Sequence, residues 1–428
     1  MLMSEIQDAA RVAREASYVM ASLGSDVKNK ALANVALALK NAKDEIFAAN
    51  KTDLEEAEKN NLETPLIKRL KFNEDKLNDV VSGIESLIDL NDPVGKVTLR
   101  TTLDDGLELT RVTCPIGVIG VIFESRPDAL VQIASLCIKS GNAVFLKGGS
   151  EAINTNKALA SVISKAGIDA GLPEGWLNLL TLRSEIADML KLDEYIDLII
   201  PRGSNSFVQY IMQNTNIAVL GHADGVCHTY IDMEADPGKA LKVALDAKTQ
   251  YVSVCNATET FLVNEALKNS FLPEFIKVLQ DAGVEVFGDD YVAETFGVSK
   301  AEEWHHEYLA MKCSVKIVKD VDEAIAHINH YGSGHTDAII TENKAVAERF
   351  MTMVDSGSVF VNCSTRFADG FRYGFGAEVG IATSKIHARG PVGLEGLVSY
   401  KYRLVGNGDI VGPYSDGTKK FKHIHHDI

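Results

Sequence analysis

Apolar residues repeat at helical spacing through the first sixty positions: Ala9, Ala10, Val12, Ala13 and Ala16 share one face, and Ala-rich segments continue from Lys28 to Asn50. Long helices are predicted over residues 4–60, with a further helical region to about Ile88. The pattern then changes to alternation. Residues 97–113 alternate around Asp104-Asp105-Gly106, which reads as a hairpin and its turn. From Pro115 the rhythm becomes strand–turn–helix. Gly117 to Phe123 is an unbroken apolar run, as expected of a strand covered on both faces. Pro127 suits the first turn of a helix that runs through Lys139 and stops at Gly141-Asn142. Residues 143–146 form the next strand and lead through Lys147-Gly148-Gly149-Ser150 into another helix, while 177–180 and 196–200 read as further strands. Strands alternating with helices predict a parallel sheet with helices on both faces.

A second α/β unit starts near Val226. It is expected to contain a helix over 236–250, a strand at Thr260, a helix over 265–282, and strands at 314–318, 337–340 and 358–361. The Gly-rich stretch from Asp369 to Gly396 reads as a loop lining a cleft. The tail from Gly406 is polar and ends Lys422-His423-Ile424-His425-His426-Asp427-Ile428, which reads as a frayed, solvated terminus in preference to a metal site. A chain of 428 residues has room for two or three domains. With 43 basic and 59 acidic residues the net charge is −16, which disfavours nonspecific nucleic-acid binding and means that basic groups receiving an anion must be locally concentrated. No apolar run approaches the roughly 20 residues of a membrane span. The N-terminus lacks the build of a signal peptide, so a cytoplasmic location is expected. Six cysteines without a CxxC pair argue against a zinc site or a disulfide framework.

One of those cysteines stands apart. Cys255, in Tyr251-Val252-Ser253-Val254-Cys255-Asn256-Ala257-Thr258, falls between a predicted helix and a β-rich run, flanked by small and polar residues. A thiol at such a junction is presented for covalent chemistry, since a thiolate is a far better nucleophile than a hydroxyl; the competing reading is a small buried hydrophobe. Lys147-Gly148-Gly149-Ser150, between a strand and a helix, is the kind of turn whose small residues let backbone approach a phosphate at a helix N-terminus. An ordinary strand–helix turn with an exposed Lys is the competing reading there. Gly203-Ser204 is a similar but weaker signal.

Taken together, the segments Gly117 to Pro127, Leu146 to Ala152, the Cys255 run, Ile339-Ile340-Thr341-Glu342, Val361 to Gly370 and Gly374 to Glu378 resemble the aldehyde dehydrogenase superfamily. Within it, the chain is most similar to the γ-glutamyl phosphate reductases of proline biosynthesis, from the N-terminal helices to about Val405. The resemblance implies an α/β fold of two Rossmann-like, doubly wound parallel-sheet domains plus a small β oligomerisation flap. Residues 1–225 would form the cofactor domain, with the 97–113 hairpin belonging to the flap. Residues 226–396 would form the catalytic domain, and 397–428 an oligomerisation strand and polar tail. A homo-oligomer is expected, and coupling to a separate glutamate kinase, since the chain has no room for a fused one.

The resemblance also assigns roles. Cys255 is the expected nucleophile. Lys147, Gly149 and Ser150 are expected at the adenosine ribose; Ser150, where relatives often carry a Glu that selects NAD, favours NADPH. Gly203 and Ser204 are expected near the cofactor diphosphate, and Glu307 at the nicotinamide ribose. Ser125, where hydrolytic relatives carry an Asn, is an expected oxyanion donor beside the Cys255 N–H. Those relatives also place a general-base Glu in a turn that here reads Ala218-Val219-Leu220-Gly221-His222-Ala223-Asp224-Gly225, without a Glu. The implied reaction is therefore NADPH-dependent reduction of L-glutamyl 5-phosphate through a thioacyl-cysteine. Arg126, Arg366 and Arg372 are expected to receive its anionic groups and Glu124 or Asp369 its amine, with Lys385, His387 and Arg389 as weaker candidates. The alternatives are a hydrolytic aldehyde dehydrogenase, with His222 as a substitute base, and a cysteine hydrolase with a His partner and no nicotinamide site.

Overall fold

The alternating run after Lys96 folds as a hairpin, β1 (Val97–Asp104) and β2 (Leu107–Pro115), turning at Gly106 with φ +75°. The computed structural model describes residues 3–124, 126–182, 184–221, 224–375 and 377–428. Beyond the hairpin, the apolar run becomes β3 (Val118–Ile122), whose five residues are all buried. With β4 (Ala143–Lys147), β5 (Leu177–Leu180), β6 (Leu198–Pro201) and β7 (Ala218–Val219) it makes a parallel sheet in the order β5-β4-β3-β6-β7. The helix Pro127–Ser140 has Pro in its first turn and stops at Gly141, whose φ of +73° is cheap for glycine. The N-terminal helices pack beside it: Leu32, Val35, Leu39 and Ile84 share one core with Leu130, Ile133 and Leu159.

The second sheet has seven strands, all parallel: β8 (Cys227–Ile231), β9 (Thr258–Asn264), β10 (Glu285–Gly288), β11 (Ser299–Lys300), β12 (Lys312–Val318), β13 (Thr336–Ile340) and β14 (Ser358–Val361). Their order is β11-β10-β12-β9-β8-β13-β14. The helix expected over 265–282 is broken into a 3-10 turn, Glu265–Leu267, and a helix, Leu272–Asp281. Pro273 explains the break, because it fits a first helical turn and not an interior.

The Gly-rich stretch is less featureless than expected: β15 (Gly380–Ala382) and β16 (Gly390–Val392) pair as a small ribbon. β17 (Val398–Val405) then runs antiparallel to β2. The tail is not frayed. Its last strand, β18 (Ile424–His426), pairs with β1, giving an arm in the order β17-β2-β1-β18. The Thr101 and Thr102 hydroxyls meet His425 Nδ1 at 3.1 Å and His426 Nε2 at 2.8 Å. Tyr414 donates to Asp104 at 2.8 Å while its ring stacks on Phe421. A polar tail can pair this way because the ladder is made by backbone groups, whatever the side chains. Among the described residues no helix is long and apolar enough to cross a membrane.

Candidate active site

Cys255 owes its position to a break between two well-defined elements. Asp236 caps the helix Pro237–Thr249 by accepting from the Lys239 N–H at 2.7 Å, and Pro237 occupies its first turn. The helix ends at Gln250, and the chain makes a short turn, with Ala257 N–H bonded to the Val254 carbonyl at 3.2 Å, before entering β9. Cys255 is thus half-buried at the amino end of the seven-stranded sheet. Three contacts hold the turn. Asn256 Nδ2 donates to the Ala368 carbonyl at 2.8 Å, the Cys227 thiol donates to the Cys255 carbonyl at 3.1 Å, and Gly225 passes so close that a Cβ there would fall within 3.0 Å of Cys255 Cα, Cβ and carbonyl oxygen. His335 Nε2 stands 3.1 Å from Cys255 Sγ.

The sulfur faces a cleft of about 490 Å³ whose opposite wall belongs to the five-stranded sheet. In the order β5-β4-β3-β6-β7 the chain winds one way from β3 and the other way from β6, so the direction switches between β3 and β6. Ligands of open α/β sheets settle outside the carboxyl ends of strands at such a switch. Here those ends supply Phe123, Glu124, Arg202, Gly203 and Ser204, all on the cleft wall. The helix Asn205–Gln213 begins there and offers free N–H groups. Glu124 accepts from the Ser204 N–H. Burial raises the Glu124 pKa, Glu151 adds to the rise, and the Ser204 N–H and Arg69 oppose it. A Cβ at Gly203 would come within 2.9 Å of Glu124 Oε1, so this turn lets a ligand reach backbone only because no side chain fills it. The crevice fits a nicotinamide dinucleotide: small residues and a helix start for the diphosphate, opening toward the thiol.

Cations gather on both sides of the sulfur. Arg69, Arg126, Arg202 and Arg366 all line the cleft in a protein whose net charge is −16. Arg366 is buried, its Nε donating to Gln250 Oε1 at 3.0 Å, and burial pulls its pKa below the ordinary value, with Arg372 adding to the fall. Arg202 is lowered by burial too, against the pull of Glu378. Glu307 lines the same cleft on a loop held from below. Leu309, at φ +51°, donates its N–H to Glu259 Oε1 at 3.3 Å, and Glu259 is paired at 2.5 Å with Lys248, both side chains fully buried. Burial pushes the Glu259 carboxyl up to about 7 even beside that ammonium.

Of the residues singled out in the sequence, Cys255, Glu124, Arg126, Gly203, Ser204, Glu307 and Arg366 line this one cleft. Others do not. Lys147 is buried at the end of β4, its ammonium donating to the Gly148 carbonyl at 2.5 Å, and Gly149 and Ser150 follow it on the neighbouring turn, where Glu151 crowds Gly149. Arg372 stands behind Arg366, donating to its carbonyl oxygen at 2.8 Å. Lys385 and Arg389 both pair with Asp355, and His387 contacts the Gly396 carbonyl. Ser125 and His222 lie outside the described residues. Sequence reasoning overlooked Gly225, Cys227, His335 and Arg69. For His335 a signal was present: Tyr331-Gly332-Ser333-Gly334-His335 places a titratable group among small residues at the mouth of an apolar strand, as the Cys255 run does. Among the described residues no group of three or more metal-binding side chains converges.

Comparison with known proteins agrees with this architecture. The aldehyde dehydrogenase family model matches residues 3–290 and 299–397. The gamma-glutamyl phosphate reductase of Pelotomaculum thermopropionicum is 61% identical over 421 residues, covering 98% of this chain and 97% of that protein. The crystal structure of the gamma-glutamyl phosphate reductase from Thermotoga maritima superposes with a TM-score of 0.92 at 40% identity, over 94% of this chain and 99% of that one. A glyceraldehyde-3-phosphate dehydrogenase from Methanocaldococcus jannaschii, crystallised with NADP, shares the fold at 16% identity, with a TM-score of 0.68 over 95% of each chain. The chain belongs to the aldehyde dehydrogenase family and, within it, to the γ-glutamyl phosphate reductases.

Proposed function

We propose that this enzyme reduces L-glutamyl 5-phosphate to L-glutamate 5-semialdehyde, with release of phosphate, in proline biosynthesis. The observation that carries the reading is the cleft itself: one thiol, a dinucleotide crevice at a topological switch point and several arginines share a single space. Cys255 Sγ attacks the acyl carbon, the bond from that carbon to the phosphate oxygen breaks, and a thioester remains on the enzyme. NADPH, when bound, supplies the hydride that reduces the thioester carbon. The carbon–sulfur bond then breaks, its electron pair returns to sulfur, and the semialdehyde leaves.

The remaining roles follow from position. Arg126 and Arg366, which line the cleft that Cys255 faces from its two walls, receive the carboxylate and phosphate, each a charge-assisted contact. Glu124 is already bonded to the Ser204 N–H, so we assign it to holding the cofactor turn. Ser125 remains the proposed oxyanion donor, and Lys147 through Ser150 the proposed edge of the adenosine ribose site, with Lys147 turning outward to serve it. Glu307 holds the nicotinamide ribose. Residues 1–225 and 226–396 act as cofactor and catalytic domains, and the arm joins copies of the chain into a homo-oligomer working beside a separate glutamate kinase.

The absence of Glu from residues 218–225 supports acyl-phosphate reduction over thioester hydrolysis, because water then lacks its activating carboxylate. The test runs the reaction backward with glutamate semialdehyde and NADP. NADPH should form only when phosphate is present, and Cys255→Ala should abolish turnover while still binding cofactor. Phosphate-independent NADPH formation would point to the hydrolytic dehydrogenase.

A further inference from the structure

His335 is buried, 1% exposed, at the amino end of β13, beside the amino end of β9 where Cys255 stands. Its ring bridges two thiols. Nε2 lies 3.1 Å from Cys255 Sγ, and Nδ1 lies 2.8 Å from Thr336 Oγ1 and 3.8 Å from Cys227 Sγ. The Thr336 hydroxyl engages Nδ1 and so leaves Nε2 as the nitrogen that exchanges a proton with Cys255. Among the described residues, three other titratable groups near the ring are engaged elsewhere. Burial holds the Cys227 thiol protonated, and its hydrogen goes to the Cys255 carbonyl. Asp337 is committed to His228 and to the Ser356 hydroxyl. Near Gly334, Arg389 is tied to Asp355.

We propose that His335 is a catalytic group of this enzyme, the acceptor that takes the Cys255 proton and later restores it; this rests on the acyl-phosphate reductase reading given above. As sulfur attacks, the S–H bond breaks and its proton passes to Nε2, while the sulfur–carbon bond forms and the carbon–oxygen bond to phosphate breaks. That proton leaves on the phosphate as hydrogen phosphate. After hydride transfer the carbon–sulfur bond breaks, sulfur recovers its electron pair, and a solvent proton returns through Nε2 to the thiolate. One hydride and one solvent proton are consumed in each turnover, and NADPH is oxidised to NADP. The geometry resembles the Cys–His pairing of cysteine hydrolases, but here the far ring nitrogen meets a hydroxyl instead of a carboxylate.

The first arm of the test needs neither substrate nor cofactor. Alkylation of the intact enzyme by iodoacetamide is followed against pH, with Cys255 quantified in its own peptide so that Cys114 and Cys363 do not contribute. Wild-type Cys255 should react with a midpoint clearly below the ~8.5 of an ordinary thiol. His335→Gln should lower the rate at pH 7 at least about tenfold, return the midpoint to the ordinary range, and reduce kcat roughly 10²- to 10⁴-fold. A wild-type midpoint at the ordinary value overturns the proposal. So does a His335→Gln enzyme that binds NADP normally and keeps the wild-type profile. If His335→Gln does not fold, the wild-type profile alone decides. An enzyme with the expected alkylation profile but no phosphate-dependent turnover would sink the substrate assignment and leave the Cys255–His335 pair standing.

Discussion

Gly225 offers the sharpest mutational probe of how finely the Cys255 thiol, the proposed nucleophile, is placed. A Cβ at this position would meet Cys255 at three atoms, each inside the 3.0 Å that real Cβ atoms respect. Two of those atoms belong to backbone, and the third is the carbon that carries the sulfur. None is the tip of a flexible chain. Gly225→Ala can therefore be accommodated only if the Cys255 turn withdraws, by roughly half an ångström or more in a close-packed interior. Overpacking of this kind costs about 1–3 kcal/mol of stability, which a domain this size survives. The larger penalty falls on chemistry: displacing a reacting group by about 1 Å costs on the order of 10² in rate. The assay is phosphate-dependent NADPH formation from glutamate semialdehyde, read as kcat beside a urea melt. The expected result is a folded enzyme with kcat lowered between tenfold and a hundredfold. Gly24→Ala is the control, since a Cβ there meets nothing within 4 Å. A Gly225→Ala enzyme with kcat within about twofold of wild type would refute the idea that this contact fixes the thiol.

Two predictions concern buried charge. Lys248→Met strands the Glu259 carboxylate in a fully buried site and should cost about 3–5 kcal/mol in urea unfolding, while Lys248→Met/Glu259→Leu recovers most of it; additive losses would contradict the pairing. His327 is depressed to about 2, mainly by burial, with His228 and Lys316 adding to the effect. Its folded pKa lies below its ordinary value, so the unfolded chain binds a proton that the fold refuses, and stability falls as pH drops below about 6.5. At pH 5 this amounts to about 2 kcal/mol, so the loss between pH 7 and 5, measured by urea midpoints, should be smaller by that amount in His327→Gln. An equal loss in both proteins would show that His327 takes up its proton without opposition.

How much of this was legible in the sequence depended on the range of the signal. β3 and β4 were readable because they are short apolar runs bounded by Pro and Gly, and Pro127 and Gly141 marked both ends of the helix between them. Cys255 was readable because its neighbours announce a break between elements. His335 was harder, being 80 residues away; only the parallel pairing β9-β8-β13 brings its strand mouth beside that of Cys255. The switch between β3 and β6 likewise depends on strand order, which periodicity does not encode. Lys147 departs from the sequence in one respect: side-chain type suggested an exposed cation, whereas the ammonium is buried and folds back onto its own turn. The tail was misread because composition reports on side chains, and β18 is held by its backbone and by threonine hydroxyls across the pair.

That last strand bears on how the arm meets its surroundings. A four-stranded ribbon has two margins, and exposed margins invite strangers to zip on. On the β1 side the chain's own end has taken the seat, leaving a margin only three residues long. The other margin, Val398–Val405, runs for eight. Growth by adding ribbons on both flanks, the route to fibres, is thereby curtailed on one flank, and any partner that docks by strand addition has a single full-length berth.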